Sequence, residues 1–376
     1  MTLLVIAGWT ALPRAQDPQE RPADPPIFRL GVSIVQLDAV VTDRQGRHVT
    51  TLGTDDFEVF QNGKAQPVTA VSYVDVEERW EDLSGLPPLR STRQVEDARH
   101  IFAIVVDDRR MSFESVAAAR RSLERFIARQ FRSGEVAAML LTTSGRDRFR
   151  SELTFSPATL TAAVRRLHFS PWADGAATEP DDTGFAAPAI DLEQMYERGA
   201  AVTAIDRISE AVDTLRELPG RKSVILVSEG FSVYGSTLEN GPIRDALQRL
   251  VDRSNRAGVV LYALDPRGLM APRVMGAQPA SLDQRREYDA RIRETQWDLQ
   301  IVSGQTGGFA IVNSNDFVGG FERILADQRG YYLIGYQPEA GTIDETGSAF
   351  RKVKIKVKQK GLTVRTRSGF YGVSTE

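Results

Sequence analysis

Short runs of consecutive apolar residues constrain this fold more than any other feature of the chain. Ile101–Val106, Val224–Val227 and Val259–Leu264 each end directly before an acidic or hydroxyl residue, and Val136–Leu141 is similarly apolar. A strand that is apolar at every position is typical of a sheet covered on both faces. Segments with apolar residues at helical spacing separate these runs. The pattern therefore predicts an α/β fold, a doubly wound and mostly parallel sheet within residues 100–328.

The residues on either side of this region follow a different period. Val35, Leu37 and Ala39 alternate with polar residues, and Asn62-Gly63 is a typical two-residue hairpin turn between Phe57–Phe60 and a return strand at Val68–Val76. Near the other end, apolar residues alternate with lysines. Neither segment has enough apolar residues for a core of its own. We therefore predict that residues 28–76 and 329–373 pair into one sandwich-like antiparallel β domain, with residues 77–99 as a linker.

The alternating strand at the C-terminal end carries a row of lysines. Lys352, Lys354, Lys356 and Lys358 share one face of this strand. Such a row is typical of a solvated strand face that discourages pairing between sheet edges. The alternative is an anion-binding stripe. The sequence alone favours the first interpretation.

The N-terminus contains an apolar stretch at Leu3–Trp9, followed by a polar, proline-rich run. This pattern predicts the remnant of a secretory signal with cleavage near Ala15, so that residues 1–27 form a leader and linker. The expected location is then periplasmic or secreted. The alternative is an irregular terminus without a signal, because no positively charged segment precedes the apolar stretch. The interior has no apolar run of about 18 residues, and we expect no membrane span.

Composition excludes several classes of protein. The chain has no cysteine, which rules out thiolate nucleophiles, disulfides and cysteine-based metal sites. Its three histidines are scattered and do not suggest a histidine-rich metal centre. Lysine and arginine number 47 against 50 aspartate and glutamate, for a net charge of −3. This balance argues against a general nucleic-acid-binding protein.

Polar residues stand where the apolar runs end. The carboxyl ends of parallel strands meet at one edge of a sheet, which is where ligands bind in open α/β folds. The residues selected by this rule are Asp107, Asp108, Ser228, Glu229 and Asp265. Converging carboxylates could hold a hard divalent cation. The alternative is that they only cap helices and form turns.

Several motifs, taken in order, resemble a known family. They are Val41–Gly46, Leu52–Gly63, Pro219–Ser223, Leu264–Gly268, Gly330–Tyr336 and Ser368–Tyr371. Together with the order of strands and helices, they resemble the von Willebrand factor A domain. More narrowly, the chain is similar to the bacterial family of von Willebrand factor A-related proteins catalogued mainly from Acidobacteria. The resemblance extends from Phe28 to Gly372.

The resemblance implies a binding module for protein partners, often with a metal ion-dependent adhesion site. The motif of that site is Asp-x-Ser-x-Ser, completed by a Thr and an Asp from two other loops. Asp107 matches the first Asp, but Arg109 and Met111 stand at the two Ser positions. Glu229 stands where the last Asp is expected, and Thr203 is the candidate Thr.

A motif that starts instead at Asp108 places Arg110 and Ser112 at the Ser positions and recovers one hydroxyl. The candidate ligands for Mg²⁺ or Mn²⁺ are then Asp107, Asp108, Ser112, Thr203 and Glu229. An arginine beside the site opposes a dication at short range, so the site is degenerate and we expect no cofactor. The alternative use of Arg109 or Arg110 is to pair with a carboxylate or to bind an acidic group of the partner.

Motifs of common enzymes are missing from the sequence. It contains no G-x-S-x-G nucleophile elbow and no phosphate-binding G-x-x-x-x-G-K-[ST] loop. We therefore expect a non-enzymatic, exported protein-binding module. Its predicted contact residues are Asp107, Asp108, Arg109, Arg110, Ser228, Glu229 and Asp265. The alternative is a structural component of an envelope assembly, in which these loops are inert and no metal is bound.

Overall fold

The computed structural model describes most of the predicted α/β and β regions. The described residues are 34–76, 100–131, 135–143, 153–169, 189–218, 221–231, 241–269, 281–338 and 350–371. The predicted leader at 1–27 and the linker at 77–99 lie outside them, as do residues 28–33, 339–349 and 372–373 of the two predicted β segments. None of the described helices combines the length and apolar character needed to cross a bilayer.

The described strands and helices follow the predicted alternation. The strands are β1 (Val35–Thr42), β2 (Phe57–Gln61), β3 (Lys64–Gln66), β4 (Val68–Asp75), β5 (His100–Val106), β6 (Glu135–Leu141), β7 (Lys222–Val227), β8 (Val259–Leu264), β9 (Ala310–Ile311), β10 (Gly330–Tyr336), β11 (Phe350–Val357), β12 (Thr363–Thr366) and β13 (Gly369–Tyr371). The helices are α1 (Phe113–Arg129), α2 (Pro157–Arg165), α3 (Ala189–Arg216), α4 (Gly241–Ala257), α5 (Leu282–Gln305) and α6 (Phe317–Gln328).

A five-stranded, all-parallel sheet forms the centre of the α/β region, in the order β6-β5-β7-β8-β9. Every residue of β5, β6, β7 and β8 is buried, because helices cover both faces. Helices α3, α4 and α5 pack on one face, and α1, α2 and α6 pack on the other. The α/β class and the parallel sheet predicted from the apolar runs are confirmed.

Two four-stranded sheets combine strands from both ends of the chain. One has the order β12-β1-β10-β4 and the other β13-β11-β2-β3. β1 pairs antiparallel with β10 and β12, and β11 pairs antiparallel with β2 and β13. Apolar residues of both sheets share one core, in which Tyr332 and Tyr336 are fully buried. The N-terminal and C-terminal β segments are thus interleaved.

The hairpin at Asn62-Gly63 forms, but its return strand differs from the prediction. Asn62 and Gly63 have φ values of 49° and 85°, as a two-residue hairpin turn requires. The strand that returns beside β2 is only β3, whereas β4 pairs with β10 in the other sheet. The prediction of one return strand at Val68–Val76 is therefore wrong. Pro67 lies at the break, and because proline has no N–H to donate, it interrupts the ladder.

One buried carboxylate links the parallel sheet to the antiparallel strands. Asp327, at the end of α6, accepts a hydrogen bond of 2.7 Å from the Tyr262 hydroxyl of β8. It also pairs with Arg365 of β12 and lies 3.9 Å from Arg221, next to β7. Because Asp327 is only 3% exposed, these partners offset the cost of burying its charge.

The glycine-rich segment at the end of α5 allows a close approach between backbones. Gly307 has a φ of +90° and its N–H donates to the Gly304 carbonyl, which ends the helix. A Cβ at Gly308 would lie 2.0 Å from the carbonyl oxygen of Leu261 in β8. A Cβ at Gly304 would meet no atom within 4 Å.

These two glycines give a matched test of the packing. We expect Gly308→Ala to lower the free energy of unfolding by about 3 kcal/mol, because β8 must move away from the new methyl group. Gly304→Ala should leave it unchanged or raise it by less than about 1 kcal/mol. Thermal and urea unfolding of both variants measure the effects. Equal stability of the two variants would contradict the close contact.

Candidate functional site

The predicted site residues lie at one edge of the parallel sheet. β5, β7 and β8 are neighbours in the sheet, and the loops after them carry Asp107, Ser228 and Asp265. The Asp107 N–H donates to the Val227 carbonyl, and the Ser228 N–H donates to the Leu264 carbonyl. The ladder thus continues one step past the strands and holds the three loops in register.

Asp107 has no exposed surface. Its Oδ2 accepts a hydrogen bond of 2.9 Å from the Ser228 hydroxyl. The Ser228 oxygen in turn accepts a bond of 2.9 Å from the Gly230 N–H. Thr142 Oγ1 lies 3.4 Å from the other carboxylate oxygen. The carboxylate therefore links the ends of β5, β6 and β7.

Arg110 provides the positive charge that faces Asp107. Its Nη1 lies 3.8 Å from Asp107 Oδ2 and donates a hydrogen bond of 2.8 Å to the Gly230 carbonyl. The guanidinium also lies over the ring of Phe231, 5.4 Å from its centroid. A fixed cation thus stands beside the carboxylate that the adhesion-site motif assigns to a metal ion.

Asp108 turns toward β6 and binds two threonines. Its Oδ1 accepts bonds of 3.0 Å from both Thr142 Oγ1 and the Thr143 N–H, and its Oδ2 accepts one of 2.5 Å from Thr143 Oγ1. Sequence reasoning missed both threonines. They follow β6 directly, so the rule that selected polar residues at strand ends would have found them.

Glu229 caps the first helix of the α/β region. Its Oε1 accepts bonds of 2.9 Å from the Ser112 N–H and 2.8 Å from the Ser112 hydroxyl. Ser112 is the N-cap of α1, and its oxygen accepts a bond from the Ser115 N–H. A carboxylate at this position also interacts favourably with the helix dipole. The role of Glu229 is thus to fix the start of α1.

Asp265 forms a second network one strand further along the edge. Arg267 binds it through two parallel bonds, 2.8 Å from Nε to Oδ1 and 2.9 Å from Nη2 to Oδ2. Gln296 Nε2 donates to Oδ2 at 2.8 Å. Arg267 and Gln296 come from different segments, so this carboxylate ties the β8 loop to α5. Its oxygens are fully used inside the protein.

The two networks meet at Gly230. Its φ of +89° suits glycine, and a Cβ there would lie 2.4 Å from the Thr295 carbonyl oxygen. Thr295 in turn accepts a bond of 3.0 Å from Arg267 Nη2. The β7 loop, the β8 loop and α5 therefore form one packed unit.

Burial controls the protonation of Asp107. It raises the pKa of this carboxyl from 3.8 to about 6, against the opposing effects of Arg110 and of the Ser228 hydrogen bond. The internal partners compensate only part of the lost hydration.

The structure corrects the prediction of Thr203 as a candidate ligand. Thr203 lies in the middle of α3, where its hydroxyl donates to the Gly199 carbonyl, and Thr142 takes the position beside Asp107 that was expected of it. Met111 is fully buried in the core and offers nothing to the site. Spacing alone could not show which loop supplies the threonine.

The predicted metal ligands do not fit a divalent cation in this arrangement. Oxygens of Asp108 and Glu229 already accept hydrogen bonds, and Arg110 stands beside Asp107. In the described part of the chain, no three His, Asp or Glu side chains are grouped as metal ligands. Mg²⁺ or Mn²⁺ would have to displace a guanidinium and several hydrogen bonds.

Direct partner contact by the predicted acids conflicts with their burial. Asp107, Asp108 and Ser228 are 0% exposed and Asp265 is 1% exposed. They cannot form a contact surface in this conformation, because their side chains have almost no accessible surface. Arg109, Arg110 and Glu229 are only partly buried.

Other side chains at this edge do reach solvent. Phe113, the first residue of α1, is 61% exposed, and its ring meets the Phe169 ring edge-on at 5.8 Å. Leu269, after β8, is 63% exposed. Arg109 forms no ion pair with any described residue, and its Nε is buried without a hydrogen-bond partner. We call Arg109, Phe113 and Leu269 the rim patch.

No protein-family model matches the chain, and no curated protein matches it significantly.

The buried carboxylate predicts an unusual pH dependence. Because the folded-state pKa of about 6 lies above the ordinary value of 3.8, the folded protein holds this proton more tightly than the unfolded chain does. Asp107 therefore costs stability as pH rises through this range. The stability of Asp107→Asn relative to the wild type should increase by about 3 kcal/mol between pH 3.8 and pH 7.

Urea unfolding of both proteins at several pH values measures this difference in the free energy of unfolding. The contributions of titrating groups that both proteins share cancel in the difference. Asp213→Asn, at a half-exposed carboxylate of α3 that pairs with Arg253, is the control for the loss of one negative charge elsewhere in the protein. A difference between Asp107→Asn and wild type that is constant with pH, or that falls as pH rises, would contradict the burial of a charged carboxylate.

Proposed function

We propose that this chain is a protein-binding module of the von Willebrand factor A type that binds its partner through the rim patch without a metal ion. The exposed Phe113 carries the proposal. Its ring stays 61% exposed at the carboxyl ends of the parallel strands. An exposed aromatic ring of this kind is a typical anchor of protein interfaces. The order of strand-end acids and motifs that resembles this family supports the same assignment.

The position of Phe113 supports binding by a preformed surface. Ser112 precedes it and is held by two hydrogen bonds to Glu229. The Phe113 backbone is therefore fixed at the start of α1, and ordering the loop costs little when a partner binds. Leu269 is held in a similar way, because its N–H donates to Asn315 Oδ1 at 2.7 Å.

Arg109 indicates the chemistry of the partner. Its guanidinium forms no ion pair within the described residues and lies four positions before Phe113. A carboxylate of the partner would give it a charge-assisted hydrogen bond. The rim patch thus suits a protein segment with an acidic side chain next to an apolar one.

Substitutions in the rim patch test this proposal. Bait protein is incubated with separated periplasmic and cytoplasmic extracts of the source cells, the recovered partner is identified, and its affinity is measured. We expect Phe113→Ala to weaken binding by about 2 kcal/mol, or roughly thirtyfold, and Arg109→Ala to weaken it further when the two are combined. Each variant must keep the wild-type melting temperature.

Ile34→Ala is the matched control. Ile34 is 57% exposed but precedes β1 in the antiparallel region, so its substitution should leave the affinity unchanged. Equal affinity of Phe113→Ala and wild type would reject the rim patch. It would favour the alternative of an assembly component that makes its contacts through the β strands.

Independence from metal is a separate prediction. Because Arg110 already faces Asp107, we expect EDTA to leave the affinity for the recovered partner unchanged, and added Mn²⁺ to leave the melting temperature unchanged. Titration calorimetry with and without EDTA measures the first effect. Loss of binding in EDTA with recovery in Mn²⁺ would show that a metal completes the site.

A further inference from the structure

One face of β11 presents three lysines and a phenylalanine to solvent. Val353 and Ile355 point into the sandwich core and are 5% and 6% exposed. The residues between and before them therefore point outward, since side chains alternate along a strand. These outward residues are Phe350, Lys352, Lys354 and Lys356. Successive lysines lie about 7 Å apart along the strand.

The neighbouring strands do little to neutralise this row. Opposite the three lysines lie Gly369, Phe60 and Glu58, respectively. Glu58 is thus the one acid that directly opposes a lysine of the row in the described strands. No lysine of the row forms an ion pair with a described residue, and Lys352 and Lys354 have no acid opposite them in the described strands.

Protection of a sheet edge does not account for the whole row. β11 has β13 on one side and β2 on the other in the sheet order, and β3 is the outermost strand beyond β2. β11 pairs with β13 at Phe350–Lys352 and with β2 at Val353–Val357. Lys352 lies where β11 pairs with β13, so blocking of further pairing accounts for Lys354 and Lys356 but not for Lys352.

Apolar surface is interspersed among the lysines. Phe350 is 38% exposed and its ring lies across Gly369, where an added Cβ would be 2.5 Å from Cζ. The Lys356 ammonium lies over the ring of Phe60, 4.7 Å from its centroid. We call Lys352, Lys354, Lys356, Phe60 and Phe350 the lysine face.

We propose that the lysine face attaches the protein to the surface of an anionic lipid bilayer, as a second binding surface separate from the rim patch. Lysines with apolar stems and interspersed aromatic rings on a sheet face suit a planar layer of phosphate headgroups. The exposed part of Phe350 adds apolar surface at the boundary of the acyl chains. Such attachment needs no membrane-spanning helix.

A single-stranded nucleic acid fits the lysine face less well. Proteins that bind such strands use a basic groove and free aromatic faces on which bases stack. Here Lys356 covers the ring of Phe60, and Phe350 packs on the backbone of Gly369.

Vesicle sedimentation tests the proposal with the full chain. Vesicles of phosphatidylglycerol and phosphatidylcholine in equal parts are compared with vesicles of phosphatidylcholine alone, in 50 mM and 300 mM salt. We expect binding only to the anionic vesicles, weakened at the higher salt. Replacement of Lys352, Lys354 and Lys356 by Gln should lower the partition coefficient roughly a hundredfold. Replacement of all three by Arg should retain it.

A control variant removes the same charge elsewhere. Arg121, Arg125 and Arg129 are exposed along α1, and their replacement by Gln leaves the lysine face intact. This variant should bind anionic vesicles like wild type. Each variant must keep the wild-type melting temperature for the comparison to count. The rim patch variant Phe113→Ala should bind anionic vesicles as wild type does.

Three results would overturn the proposal. The first is that wild type and the Lys→Gln variant bind anionic vesicles equally well, or that neither of them binds. The second is an equal loss in the arginine control, which would reduce the effect to net charge. The third is tighter binding of a single-stranded oligonucleotide than of anionic vesicles, lost in the Lys→Gln variant, which would assign the face to nucleic acid.

Discussion

The central sheet is buried on both faces, and this constraint determines where polar chemistry can occur in the α/β region. β5, β7 and β8 leave no exposed residue along their length, so side chains with charge are displaced to the strand ends. Even there Asp107 and Asp265 remain enclosed. A buried carboxylate is tolerated only with internal partners, and each acid has an arginine and several hydrogen-bond donors around it.

The same internal pairing explains why the exposed chemistry lies on neighbouring residues. The carboxylates of Asp107 and Asp108 accept hydrogen bonds that join β5 to β6 and β7, and the Glu229 carboxylate caps α1. What remains accessible is the ring of Phe113, together with part of the Arg109 side chain. The acids position the loops, and we propose that the rim patch makes the contact. Rigid support beneath a small exposed anchor is a common arrangement in protein recognition.

Much of this arrangement could be predicted from the sequence because burial is periodic. Runs of apolar residues gave the parallel strands, and the strand-end rule brought Asp107, Ser228 and Asp265 to one edge. The partners of these acids were harder to predict. Gln296 reaches Asp265 from a helix that follows it by about thirty positions, a contact that no local pattern indicates. Thr203 was chosen for its residue type, whereas only the fold shows that Thr142 stands beside Asp107. Pro67 was visible in the sequence, but its role in sending β4 to the other sheet depends on β10.

The central claim is that Arg110 holds the position beside Asp107 that a metal ion would otherwise occupy. Anomalous diffraction from crystals grown in 10 mM MnCl₂ tests this claim most directly. The account predicts ordered density for the Arg110 guanidinium beside the Asp107 carboxylate and no manganese peak at this edge of the sheet. A manganese peak coordinated by Asp107, with Arg110 turned away, would contradict it.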